Sequence, residues 1–239
     1  MILPVSFLLV GVKLVMHVTA SVADIRKEPN SRSERLSQLV YGEKVQIISQ
    51  GSEYSLIRCP DGLEGYIKNT LTAEKDPPKY KIVRHYSARG MTFSFGSYLN
   101  DEDLERYRVR KTYVVPIQKK YEPAILAPKF LGIPYLWGGT SDFGFDCSGF
   151  TQRLFRFSGI EIPRNSDQQK ESSKPIRNLS EAKKGDLLFF EGHVALYLGQ
   201  NKIIHANGHF SSVSYTDLSD GSNYSAYLLN NIVKVGRFD

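Results

Sequence analysis

The chain has 239 residues, 41% of them hydrophobic and 23% charged, a composition that fits a soluble globular protein and argues against a disordered one. Its formal net charge of +6 would suit an anionic partner such as an acidic cell-wall polymer, but the basic residues are scattered beyond short groups such as Lys119-Lys120 and Lys183-Lys184. No basic stripe interleaves with aromatics, so nucleic-acid binding is not expected. The two cysteines, Cys59 and Cys147, are too few for a secreted disulfide scaffold, and nothing approaches zinc-ligand spacing. No metal and no cofactor is expected.

In chain order, Ile2 to Val12 is apolar and too short to span a bilayer. It has the character of a signal-peptide core, with Val18-Thr-Ala20 and Ser21-Val-Ala23 as possible cleavage sites. Against cleavage, no basic residue precedes it, Lys13 interrupts soon after, and residues 13–25 read as a first β-strand. Residues 13–75 read as short strands and turns, the signature of a small β-barrel. Val45-Gln-Ile-Ile48 and Tyr54-Ser-Leu-Ile57 flank a Gln-Gly-Ser turn, and Pro60-Asp-Gly62 is a turn before Gly65-Tyr-Ile67. Cys59 ends the run from Tyr54 and reads as a buried strand thiol.

A faint repeat links Leu39-Val-Tyr-Gly-Glu-Lys-Val45 to Phe93-Ser-Phe-Gly-Ser-Tyr-Leu99. It suggests a second, shorter barrel over residues 79–118, joined to the first by Asp76-Pro-Pro78. From residue 122 the pattern changes. Pro123 to Leu131 reads as helical. A glycine-rich loop, Tyr135 to Asp146, then leads to Cys147 and a helix with Phe150, Leu154 and Phe157 on one face. Asp146 is the N-cap of that helix, and Cys147 its first residue. The positive end of the helix dipole there favours the thiolate, the reactive form of cysteine. Strands follow at Asp186–Phe190, His193–Leu198, Lys202–Ala206 and Ile232–Val235. Gly199-Gln-Asn-Lys202 has the length of a hairpin turn, so His193 and His205 fall on antiparallel neighbours. Helices followed by strands indicate an α+β domain. A cysteine at a helix start with histidines far away in sequence is a candidate nucleophile with a candidate base. His17, His85 and His209 sit in no motif.

The segments Tyr135-Leu-Trp-Gly-Gly-Thr140, Phe145-Asp-Cys-Ser-Gly-Phe150, Ile162-Pro-Arg-Asn-Ser166, Gly185-Asp-Leu-Leu-Phe-Phe190, Gly192-His-Val-Ala-Leu-Tyr-Leu-Gly199 and Ile203-Ile-His-Ala206 resemble the NlpC-type cysteine peptidases of bacterial cell walls. The resemblance covers residues 122–239. The N-terminal half resembles the bacterial Src-homology-3-like domains of one subgroup, the γ-D-glutamyl-L-diamino acid endopeptidases. This implies an α+β, papain-like catalytic domain preceded by one or two small Src-homology-3-like barrels.

The resemblance implies hydrolysis of the bond between D-glutamate and a diamino acid in peptidoglycan stem peptides. It makes Cys147 the nucleophile, His193 the base and His205 the residue that orients it. Asp146, Ser148 and Ser166 match substrate-contacting positions, and Tyr135 borders the cleft. The subgroup holds the substrate's free amine with an acid and a tyrosine from the barrel. Glu28 is the expected acid and Tyr66 the expected tyrosine, although Leu63 stands where the pattern places the aromatic ring. A free-amine requirement implies a monomeric recycling enzyme of the cytoplasm; the alternative is the periplasm or envelope after signal cleavage. Competing functions are an amidase or acyltransferase with the same triad, or a wall-binding module with a degenerate site.

Overall fold

A computed structural model describes residues 14–239; the apolar segment 1–12 and Lys13 lie outside the described residues. The stretch expected as one strand over 13–25 is two, β1 (Val15–Val18) and β2 (Val22–Arg26), broken at Thr19–Ser21. With β3 (Arg35–Val40), β4 (Lys44–Ser49), β5 (Tyr54–Arg58), β6 (Glu64–Lys68) and β7 (Thr72–Ala73) they form a seven-stranded antiparallel sheet in the order β3-β2-β6-β5-β4-β1-β7. Alternation along β2, β5 and β6 turns Ala23, Ile25, Ile57 and Ile67 inward, where they meet Val18, Leu39, Val45 and Cys59.

Residues 79–118 carry β8 (Tyr80–Ile82), β9 (Tyr86–Ala88), β10 (Met91–Phe93), β11 (Tyr98–Leu99), a short helix α1 (Asp101–Arg106) and β12 (Val114–Pro116). Here the sheet is three-stranded, β11-β8-β12, beside a separate β9–β10 hairpin. A capping box between Asn100 and Asp103 starts α1. The two halves of the faint repeat touch each other. Tyr98 N–H donates to Tyr41 O at 2.8 Å, and Gly42, at φ +77°, lies so close to Tyr98 O that a Cβ there would fall 1.9 Å from it. Only glycine fits that turn.

The third unit begins with α2 (Pro123–Leu126), shorter than the expected helix because its continuation Ala127–Phe130 tightens to a 3₁₀ turn. A two-strand hairpin, β13 (Thr140–Ser141) and β14 (Gly144–Phe145), precedes α3 (Cys147–Phe157). Then come α4 (Ser166–Ser172), β15 (Lys174–Ile176), β16 (Leu187–Phe190), β17 (His193–Gly199), β18 (Lys202–Asn207), β19 (Ser212–Asp217), α5 (Asn223–Asn230) and β20 (Lys234–Arg237). The six strands form an antiparallel sheet, β15-β20-β16-β17-β18-β19, with α3 packed on it through Phe150, Leu154 and Phe157. β19 and helices α4 and α5 were not expected from the sequence.

Helix α3 is buried along its whole length, including its polar face. That face lies against the N-terminal sheet. Glu43 accepts from Arg153 at 3.0 Å and from Arg156 at 2.9 Å, and Asp61 accepts from Arg156 at 3.4 Å and from Gln152 at 2.6 Å. Buried charges need such partners. Among the described residues no helix is long and apolar enough to cross a membrane.

Candidate active site

Asp146 stands at the start of α3 in extended backbone, and its Oδ1 accepts from Gly149 N–H at 2.7 Å, the N-cap bond expected of it. Its Oδ2 accepts from Gly138 N–H at 2.9 Å and from Arg164 Nη2 at 2.5 Å. One carboxylate thus fastens the glycine loop, the helix and Arg164. Arg164 is buried, and it also donates to Ser148 Oγ at 2.9 Å and, across to the N-terminal sheet, to Ser37 Oγ at 3.1 Å. Gly138 has φ +74°, and a Cβ there would fall 2.6 Å from Arg35 O. Arg35 donates in turn to Trp137 O at 3.2 Å. The loop before the nucleophile is therefore pressed directly onto β3.

Cys147 packs in the core cluster that includes Val194, next to His193, and the backbone N–H groups of Val194 and Ser148 favour its thiolate. Across the sheet, His193 Nε2 and His205 Nδ1 lie 2.7 Å apart. The Gly199–Lys202 turn does pair β17 and β18 antiparallel, which brings the two histidines together. His205 is fully buried, and its Nε2 meets Thr216 Oγ1 at 3.1 Å. His193 Nδ1 is the ring nitrogen left for the cysteine proton.

The protonation states differ from the sequence expectation. Burial pushes the Cys147 thiol up to about 11, and the nearby Asp146 carboxylate adds to the rise. The two backbone N–H groups and Arg164 pull it down without overcoming burial. Burial lowers His193 to about 4, and burial with the neighbouring His193 and His209 lowers His205 to about 3. Burial thus favours the neutral thiol and the neutral imidazoles at neutral pH. Burial therefore opposes the ionising effect of the helix start at this largely buried cysteine.

A cleft of about 290 Å³ opens over Cys147. Tyr135, Asp146, Ser148 and Ser166 line it, as the sequence suggested, and Tyr135 is raised to about 12 by burial and by the charges of Cys147 and Asp146. Asp146, expected to contact substrate, is occupied by its bonds within the chain. The N-terminal sheet contributes Glu34, Arg35 and Leu36 to the cleft. Glu28 and Tyr66 do not line it. Glu28 is exposed at the far end of the β2–β3 turn, and Tyr66 borders a separate hollow with Pro29 and Tyr54. Leu63 packs against the core of the N-terminal sheet. Glu34 is exposed, with only a 3.5 Å contact to Lys27. Sequence reasoning passed over Glu34, Arg35, Arg164 and Thr216. Arg164 stands in a motif and so had a signal; the other three depend on tertiary placement.

A cysteine at the start of a helix, and two hydrogen-bonded histidines on the adjacent strands against which that helix packs, define a cysteine peptidase site on a papain-like α+β domain. Residues 132–232 match the NlpC/P60 family model, and residues 21–72 match the bacterial SH3 domain model. A gamma-D-glutamyl-L-lysine dipeptidyl-peptidase of Bacillus subtilis (strain 168) is 30% identical over 227 residues, which span 77% of this chain and 76% of that protein. Dipeptidyl-peptidase 6 of Lysinibacillus sphaericus is 26% identical over 85% of this chain and 91% of its own length. The solved structure of an NlpC/P60 family protein from Bacillus cereus ATCC 10987 superposes with a TM-score of 0.75 at 19% identity, covering 94% of this chain and 99% of that one, a likeness of fold. The chain belongs to the NlpC/P60 family.

Proposed function

We propose that this protein is a cysteine endopeptidase that cleaves the γ-D-glutamyl–diamino acid bond of peptidoglycan stem peptides, and that its substrates are released fragments with a free L-alanine amine. Cys147 is the nucleophile, His193 the base and His205 its orienting partner. The Cys147 proton passes to His193 Nδ1 as the sulfur attacks the γ-carbonyl carbon of D-glutamate. The C–N bond then breaks, and His193 returns the proton to the leaving amine. Water hydrolyses the thioester; His193 takes its proton and returns it to the sulfur. The backbone N–H of Ser148 is a donor for the oxyanion.

The observation that carries the substrate reading is that Glu34, Arg35 and Leu36 of the N-terminal unit line one end of the cleft. Side chains at that end would crowd a glycan strand beyond the alanine, and Glu34 would supply a carboxylate for its ammonium. Free-amine fragments arise from wall turnover, and a recycling role for them supports a cytoplasmic location. Loss of residues through Ala20 or Ala23 would remove β1, with buried Val18 and its pairing to β4 and β7, which supports retention of that strand. The test compares L-Ala-γ-D-Glu-diaminopimelate with its N-acetylated form in wild type and Glu34→Gln. Wild type should strongly prefer the free amine. Glu34→Gln should lose about ten-fold in kcat/KM on it, as for a charge-assisted hydrogen bond. Equal wild-type rates on the two peptides would refute the closed pocket, and an unchanged preference in Glu34→Gln would refute the choice of acid.

A further inference from the structure

β19 brings Thr216 to the end of the histidine pair. In the β18–β19 register Ile203 faces Thr216 and His205 faces Ser214, so Thr216 is the diagonal neighbour of His205 on one face of the sheet. His193 meets His205 from the other side. The three side chains form a row across three strands, with contacts of 2.7 Å and 3.1 Å. His205 and Thr216 are both buried. Around them, Asn207 donates to His205 O and to Ser214 Oγ, and the Tyr224 ring stacks 6.4 Å from the His205 ring. Among the described residues, Thr216 Oγ1 is the side-chain partner of His205 Nε2.

We propose that Thr216 is a positioning residue of the peptidase, the proton acceptor that closes the chain Cys147–His193–His205–Thr216. The inference rests on the reading of His193 as base and His205 as its partner. His193 Nδ1 can take the thiol proton only if the other ring proton sits on Nε2, where it is donated to His205 Nδ1. His205 then carries its own proton on Nε2 and donates it to Thr216 Oγ1. In the resting site a hydroxyl can donate or accept, so the chain can run in either direction. Once His193 becomes an imidazolium, only one direction remains, and Oγ1 must accept. Thr216 therefore stabilises the charged state reached during attack and contributes little to substrate binding. Such an interaction acts on kcat.

The test measures kcat and KM on L-Ala-γ-D-Glu-diaminopimelate for wild type, Thr216→Val, Thr216→Ser and His205→Ala, with nitrogen NMR of the His205 ring. Valine keeps the shape and removes the acceptor. It should lower kcat roughly ten-fold, with KM within about two-fold, the effect of leaving one buried N–H unpaired. Serine should restore kcat to within about three-fold of wild type. The His205 nitrogen shifts should move in the valine variant and stay in the serine variant. If Thr216→Val turns over like wild type while His205→Ala is impaired, the role of Thr216 is overturned and the reading of the histidines stands. If His205→Ala itself is fully active, the underlying reading fails. Equal losses in the serine and valine variants, or a loss expressed in KM, would make Thr216 merely structural and overturn the proposal. If the valine variant does not fold, Thr216→Ala carries the same comparison.

Discussion

Glu43 is the most consequential charge outside the cleft. It is 2% exposed, and its carboxylate accepts from Val40 N–H at 2.7 Å, from Arg153 Nη1 at 3.0 Å and Nη2 at 3.3 Å, and from Arg156 Nη1 at 2.9 Å. Glu43→Gln keeps the volume and removes the charge. Arg156 retains Asp61 and Glu161, but Arg153 retains only Thr140 O, at 2.8 Å. A buried guanidinium left without its anion costs about 3–5 kcal/mol. In a chain of this size that lowers the melting temperature by roughly 6–20 °C. Burial alone would raise the Glu43 carboxyl above its usual 4.5, but the Arg153 and Arg156 charges outweigh burial and hold it below that value. Its contribution is therefore complete above about pH 4.5 and is lost as pH falls through the lowered value. Calorimetry or circular dichroism of both proteins from pH 7 to pH 3 is the assay. The gap should be wide at neutral pH and shrink in acid. A neutral-pH difference under about 1 kcal/mol, or a gap that persists in acid, would refute the ion-pair account.

Two further expectations concern the chemistry. Cys147→Ser should be folded and inactive, and His193→Ala should lose more kcat/KM than His205→Ala, since the first removes the base and the second only its orientation; the reverse order would exchange their roles. The neutral resting pair predicts an acid limb of kcat/KM near the lowered His193 value of about 4, because protonated His193 cannot accept a proton, and iodoacetamide labelling of Cys147 that climbs with pH toward about 11. Rapid labelling already at pH 6 would instead mean a preformed thiolate–imidazolium pair, and an acid limb near the ordinary histidine value of 6.5 would mean that burial does not lower His193.

The local parts of the site were legible because they depend on short-range rules. The spacing of Phe150, Leu154 and Phe157 marked the core face of α3, Asp146 marked its start, and Gly199–Lys202 set the pairing that joins the histidines. Partners distant in sequence were not legible. Nothing in Thr151-Gln-Arg-Leu-Phe-Arg156 says that its polar face will be covered by Glu43 and Asp61. Glu28 and Glu34 flank one turn, and only the path of that turn decides which carboxylate faces the cleft. For the Cys147 thiol, helix position was legible in the sequence but its burial, which opposes ionisation, was not. Helix α4, Ser-Asp-Gln-Gln-Lys-Glu-Ser, has no apolar stripe. Its buried Gln169 is held by hydrogen bonds to Ser148 O at 3.0 Å and Pro163 O at 2.8 Å.

The same contacts that close the cleft also hold the nucleophile. Arg164 reaches Ser37 on β3 with one nitrogen and Asp146 and Ser148 with the others. Asp146 passes that restraint to Gly138 and to the first turn of α3, and Gly138 is pressed on Arg35. Thr140, one residue past the glycine pair, donates to Gln38 O at 2.7 Å from the same loop region. Every element that aims Cys147 therefore touches β3 directly or through one side chain. The N-terminal sheet cannot be a detachable wall-binding accessory in this protein. Without it, Arg153, Arg156 and Arg164 would lose buried partners, the glycine loop would lose its backing, and the cleft would open at the end where Glu34 now stands. If the proposed amine pocket is right, one interface serves both substrate choice and the placement of Cys147, and a substitution on β3 should alter both together.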